Sequence, residues 1–212
     1  MVHIRFSRTS DALASQSLEL LGRRISLRPL RNTDYDGWRQ VRINSHDWLT
    51  KWEPMHLVGA PDPTWDRHAF ESRNGARNRE WQLGAGYGFG LFVDGVFAGE
   101  VNMSNVLRGP FQSASIGYWI DQRMAGKGYV PEAVVLLLQF SFEELGLHRI
   151  QIPIVPRNAA SRRVVDKIGL RDEGTALRYL EINGVWEDHV RYAMTVEEWR
   201  ERGPGLVQEW LQ

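Results

Sequence analysis

The chain contains no cysteine among its 212 residues. That one absence excludes disulfides, thiolate metal sites, iron–sulfur clusters and a cysteine nucleophile. Long apolar runs are missing too: the longest, residues 133 to 138, falls far short of the roughly 20 residues a membrane span requires. Neither charge is in excess, since 26 Lys and Arg face 26 Asp and Glu. A duplex-binding protein ordinarily carries a basic surplus to displace counterions, so neither nucleic acid nor a membrane is an expected partner. The first ten residues alternate polar and apolar without a hydrophobic signal core, and a cytoplasmic location is expected. His3, His46, His56, His68, His148 and His189 show no H-x-H or H-E-x-x-H spacing, so no metal is expected. A serine hydrolase lacks its G-x-S-x-G.

What is present is a globular composition, 42% hydrophobic and 25% charged, in a chain of single-domain length. Ile25 to Arg28 alternates as a half-buried strand. A helix follows, capped at Asn32 or Thr33, with Trp38, Val41 and Arg42 on one face. Asp47 to Pro63 reads as loop, and Thr64 to Glu80 as a second helix interrupted near Gly75. Two hairpins turn at Asp94-Gly95 and Asn183-Gly184, dipeptides suited to tight two-residue turns. Between them lie a strand over Ala114 to Asp121, a nearly all-apolar helix from Val130 to Glu144, a strand from His148 to Val155, and a helix opened by Asn158 or Ser161. Gly84, Gly86, Gly88 and Gly90 fall on one strand face, where packing is the expected reason. Beyond Glu197 the chain reads as a short charged segment broken by Gly203-Pro204-Gly205. The order predicts an α/β protein with a single mixed, mostly antiparallel sheet flanked by helices.

The stretch from Asp121 to Glu132 carries the first chemistry. A strand ends, Gly126 and Gly128 flank one residue, and a helix begins with Pro131 in its first turn. Glycines let backbone approach a phosphate, and the first amides of a helix have no partner of their own. Two glycines after a strand also make an ordinary tight turn. A P-loop is excluded by spacing, and so is a dinucleotide fingerprint.

Arg123 to Gly128 as R-x-x-G-x-G resembles the acyl-coenzyme A pyrophosphate motif of the GCN5-related N-acetyltransferases (the GNAT superfamily). The downstream half is similar as well: His148-Arg149-Ile150, then Pro156 to Ser161, then Lys167-Ile168-Gly169-Leu170, with Leu170 where Phe is usual. Trp52-Glu53-Pro54, Gly90-Leu91-Phe92, Ser104 to Gly109, Ile116 to Ile120 and Ile182 to Val190 follow in order and resemble the RimJ and RimL branch of ribosomal-protein N-terminal acetyltransferases, its RimJ side most closely. The resemblance spans residues 22 to 198 and leaves 1 to 21 and 199 to 212 as extensions.

The resemblance implies a GNAT fold and an acetyltransferase that uses acetyl-coenzyme A without a metal. The backbone of Tyr118, Trp119, Ile120 and Asp121 would pair with pantetheine. The amides of Arg123, Met124, Ala125, Gly126, Lys127 and Gly128 would bind the pyrophosphate, and Asn158 would hold the pantetheine chain from across the cleft. Many family members place a tyrosine acid where Val165 stands here, so Ser161 becomes the candidate acid; a serine in a first helical turn is also a frequent cap. The corresponding base position falls near Leu180, which accepts no proton, and Glu100 is the other carboxylate considered. Weak base equipment suits a protein α-amine: with a pKa of ~7.7–8.0, roughly a tenth to a sixth of it is neutral at pH 7, against about one lysine amine in several thousand. The expected acceptor is therefore a protein N-terminus, with an Ala- or Ser-initiated ribosomal protein as the candidate. A small amine such as an aminoglycoside or polyamine is the alternative acceptor, and a coenzyme A-binding assembly factor without turnover is the non-enzymatic alternative. Monomer and homodimer both stay open.

Overall fold

A computed structural model describes residues 18–55 and 59–212. The opening segment, through residue 17, and His56 lie outside the described residues. Eight strands form one open sheet: β1 (Leu20–Leu21), β2 (Ile25–Arg28), β3 (Tyr87–Val93), β4 (Val96–Leu107), β5 (Ser113–Ile120), β6 (Arg149–Ile154), β7 (Arg171–Ile182) and β8 (Val185–Thr195). Their spatial order is β1-β2-β3-β4-β5-β6-β8-β7. Every neighbouring pair is antiparallel except β5 and β6. The expected mixed, mostly antiparallel sheet is what forms, and both hairpins turn at the expected dipeptides.

Helices cover both faces. On one side stand α1 (Tyr35–Asn44), the short α2 (His46–Leu49) and α3 (Arg67–Gln82); their core joins Trp38, Val41 and Phe70 to Phe92 and Phe97 of the sheet. Opposite them lie α4 (Tyr129–Gln139), α5 (Ala159–Ile168) and α6 (Val196–Leu211). All of α4 from Val130 to Leu138 is buried, as a helix apolar on every side must be. It ends in a π-turn over Phe140–Glu144, where the Ser141 hydroxyl donates to the Leu137 carbonyl at 2.6 Å.

Four sequence expectations are corrected. Neither Asn32 nor Thr33 caps α1, because they lie in a 3-10 turn over Asn32–Asp34 and Asp34 is the residue that precedes the helix. Gly75 does not interrupt α3, whose start is capped by the Asp66 carboxylate accepting from the His68 and Ala69 amides. Part of the expected 47–63 loop is helical, as α2 and the 3-10 turn Thr50–Trp52. Gly203-Pro204-Gly205 does not break the C-terminal segment: α6 runs through it, because Trp199, Leu206 and Leu211 bury against the main core and a Cβ at Gly203 would sit 2.7 Å from the Trp199 ring. Tertiary burial outweighs the local cost of glycine and proline here. Of the four alternating glycines, Gly88 and Gly90 lie in β3 beneath the Arg77 and Leu30 side chains, so they do serve packing.

Candidate active site

The parallel pairing of β5 with β6 covers only Ser113–Ser115 against Arg149–Gln151. Beyond it the strands part, and from Ile116 to Ile120 the β6 side of β5 has no strand partner among the described residues while its other side stays bonded to β4. A cavity of about 460 Å³ opens in this gap. Gly117 to Ile120 form one wall, and Asn158, Ser161, Arg163, Val164 and Lys167 of the α5 segment form the facing one. An extended ligand chain can pair with an unpartnered strand side of this kind.

One end of the cavity is the turn before α4. Gly126 and Gly128 have φ of +79° and +87°, a left-handed backbone that glycine adopts at little cost. No side chain caps α4, so its first amides remain available to an anion, and Met124, Ala125, Gly126, Gly128 and Val130 line the cavity there. The turn is held from behind. Arg24 donates to the Lys127 carbonyl at 2.9 Å and pairs with the fully buried Glu132.

The structure brings together Tyr118, Trp119, Ile120, Met124, Ala125, Gly126, Gly128, Asn158 and Ser161 on the cavity surface. Asp121, Arg123 and Lys127 do not line it. The Asp121 carboxylate accepts from the Arg123 amide at 2.9 Å and from the Arg123 guanidinium at 2.6 Å. Burial would raise this carboxyl; the hydrogen bonds from Arg123 hold it below the usual range. The Arg123 side chain is thus committed to shaping the turn.

Asn158 is the cap of α5, its side-chain oxygen accepting from the Ser161 amide at 3.1 Å. That leaves Ser161 three residues inside the helix, not at its cap. The Tyr118 phenol donates to the Ser161 carbonyl at 3.1 Å, and burial pushes its pKa up. Val165 is fully buried in the core, and Leu180 is a half-exposed strand residue opposite Glu187.

Glu100 lies away from the cavity lining. It is fully buried beneath the first helices, accepting from the Trp38 indole at 2.6 Å, from Arg73 at 2.7 Å and from Arg77 at 2.5 Å. Burial alone would raise its pKa, but Arg73 and Arg77 hold the carboxyl well below the usual carboxylate range. A carboxylate so held is a poor proton acceptor, and its geometry is that of a structural anchor.

Two cationic groups on the cavity surface escape the sequence reading, whereas Trp48 and Trp52, two of the tryptophans that crowd the first helices in the sequence, do line it. Arg163 and Lys167 sit one helical turn apart on α5; their i, i+4 spacing was the signal that could have found them. Trp48, Trp52 and Glu53 line the cavity from the side of the first helices.

The profile of the acetyltransferase (GNAT) domain matches residues 24–171. The chain belongs to the GNAT family. It is an N-acetyltransferase, and its sheet, split between β5 and β6, is the GNAT fold. The probable N-acetyltransferase YjcK of Bacillus subtilis is 36% identical over 178 residues, 80% of this chain and 93% of its own length. The ribosomal protein uS5 alanine N-acetyltransferase of Escherichia coli is 32% identical over 170 residues, 78% of this chain and 86% of its own. Mycobacterium smegmatis RimJ, solved in complex with CoA-disulfide, superposes with a TM-score of 0.80 at 33% identity, covering 87% of this chain and 88% of that one. No helix among the described residues of this GNAT chain is long and apolar enough to cross a membrane.

Proposed function

We propose that the protein transfers an acetyl group from acetyl-coenzyme A to the α-amine of a protein N-terminus, with an Ala- or Ser-initiated ribosomal protein as the acceptor class. The observation that carries this reading is that the glycine turn, Ser161, Trp48 and Trp52 all line one cavity. Donor and acceptor can then meet in a ternary complex, which gives direct transfer its proximity advantage. The similarity to a uS5 alanine acetyltransferase supports the choice of acceptor.

The residues present fit the donor. The uncapped amides of α4 suit a pyrophosphate, the open side of β5 suits the pantetheine amides, and Asn158 keeps its side-chain NH2 without a partner among the described residues while its oxygen caps α5. Arg163 and Lys167 add cationic contacts for the remaining phosphate. Acetyl-coenzyme A supplies the activated acetyl group as a thioester. As the amine nitrogen bonds to the acetyl carbon and the carbon–sulfur bond breaks, one proton leaves the amine and one reaches the sulfur. In this reading Ser161 donates toward the sulfur, and solvent in the open cleft takes the proton of an amine that is already partly neutral. Glu100 transfers no proton; it fixes α1 and α3 on the sheet through Trp38, Arg73 and Arg77.

The test is a panel of peptides differing in their first residue, incubated with enzyme and acetyl-coenzyme A and sequenced by mass spectrometry. Acetylation at the α-amine of Ala- or Ser-initiated peptides is expected. Modification confined to lysine side chains, or to polyamines, would overturn the proposal.

A further inference from the structure

Among the described residues lining the cavity, Glu53 is the sole carboxylate, and no histidine lines it. Its side chain is 28% exposed. Two anchors fix it. Arg42 donates to both carboxylate oxygens, at 2.5 and 2.7 Å, and the Glu53 carbonyl accepts from the Asn183 amide at 2.8 Å, tying the segment to the β7–β8 turn. Arg42 does not itself line the cavity; it lies over the rings of Trp38 and Trp119 and reaches Glu53 from the protein side. Each carboxylate oxygen accepts one hydrogen bond from Arg42 and has a further lone pair, so a residue on the cavity surface retains acceptor capacity for a ligand. The neighbouring cations have other contacts: Lys51 stands near the Trp48 and Trp52 rings, and Arg157 lies over Trp52 and pairs with Glu187.

Most α-amines reach an enzyme at neutral pH as ammonium ions. A fixed carboxylate suits such a group, since an ionised acceptor makes the stronger hydrogen bond. We propose that Glu53, oriented by Arg42, receives the ammonium group of the acceptor and sets it at the mouth of the cleft. This rests on the N-terminal acetyltransferase reading and adds to it the group that binds the acceptor's charge.

The experiment compares Glu53→Gln with the wild type on an Ala-initiated peptide, with circular dichroism and coenzyme A affinity as folding controls. The acceptor KM should rise ~10–100-fold, with kcat changed far less and coenzyme A affinity unchanged. An unchanged acceptor KM in a folded variant overturns the assignment of Glu53. Should the variant fail to fold, the wild type decides alone. A peptide whose first residue is lactyl, carrying a hydroxyl in place of the ammonium, should bind ~10-fold or more weakly than its alanyl counterpart; equal binding overturns the assignment. If the wild type acetylates only lysine or small amines, the N-terminal reading falls, and the KM comparison on that amine decides Glu53 separately. Turnover of no amine at all overturns both.

Discussion

The Tyr118 phenol donates to the Ser161 carbonyl at 3.1 Å, joining β5 to the first turn of α5 across the gap where β5 and β6 have parted. This contact spans the two walls of the cavity. Tyr118 keeps its proton, because burial pushes the phenol up and the hydrogen bond to Ser161 offsets only part of that shift. Tyr118→Phe removes one hydrogen bond and little volume. It should cost about 1 kcal/mol of stability and leave kcat within a few-fold. Chemical denaturation and steady-state kinetics on the same variant check both numbers. A loss of kcat of several orders of magnitude would make the phenol a proton donor instead.

Ser161 and Asn158 can be separated because the carboxamide, not the hydroxyl, caps α5. Ser161→Ala should leave the melting temperature nearly unchanged and lower kcat ~10²-fold, the low end for general acid catalysis of a thiolate that departs fairly well unaided. Asn158→Ala should instead cost ~1 kcal/mol as a lost cap, and it should also weaken coenzyme A binding. If Ser161→Ala turns over normally, solvent protonates the thiolate.

Glu100 gives a pH signature. Its folded carboxyl is depressed, so its stabilisation is fully present above the ordinary value of 4.5 and is lost as pH falls through the folded value. Glu100→Gln leaves Arg73 and Arg77 without their counter-ion and should cost about 3–5 kcal/mol at pH 7. The variant cannot titrate at this position, so its deficit relative to the wild type should shrink as pH falls below 4.5. Denaturant midpoints measured from pH 3 to 7 would show this convergence; a deficit constant across that range would rule out the ion-pair explanation.

The glycine turn and the cap of α5 were legible in the sequence because they are built from local features. Gly126 and Gly128 stand between a strand and an apolar helix, and Asn158 opens the next helix; short-range chemistry alone dictates each. The surroundings of Glu100 were not legible, for the opposite reason. Strand alternation puts it on the face of Trp119, its partner on β5, but only the packing of α1 and α3 brings Trp38, Arg73 and Arg77 over it. Glu53 appears in the sequence only within Trp52-Glu53-Pro54, and its placement on the cavity surface depends on Arg42, eleven positions earlier, and Asn183, far along the chain. The C-terminal helix was hidden by Pro204, since no local signal shows that Trp199 and Leu206 have a core to enter.

The claim that both substrates meet in one cavity is tested most directly by initial velocities over a grid of acetyl-coenzyme A and Ala-initiated peptide concentrations. Direct transfer in a ternary complex predicts double-reciprocal lines that intersect, with no acetylated protein formed on incubation with acetyl-coenzyme A alone. Parallel lines, with an acetyl group found on the enzyme, would be the signature of a covalent intermediate and would contradict it.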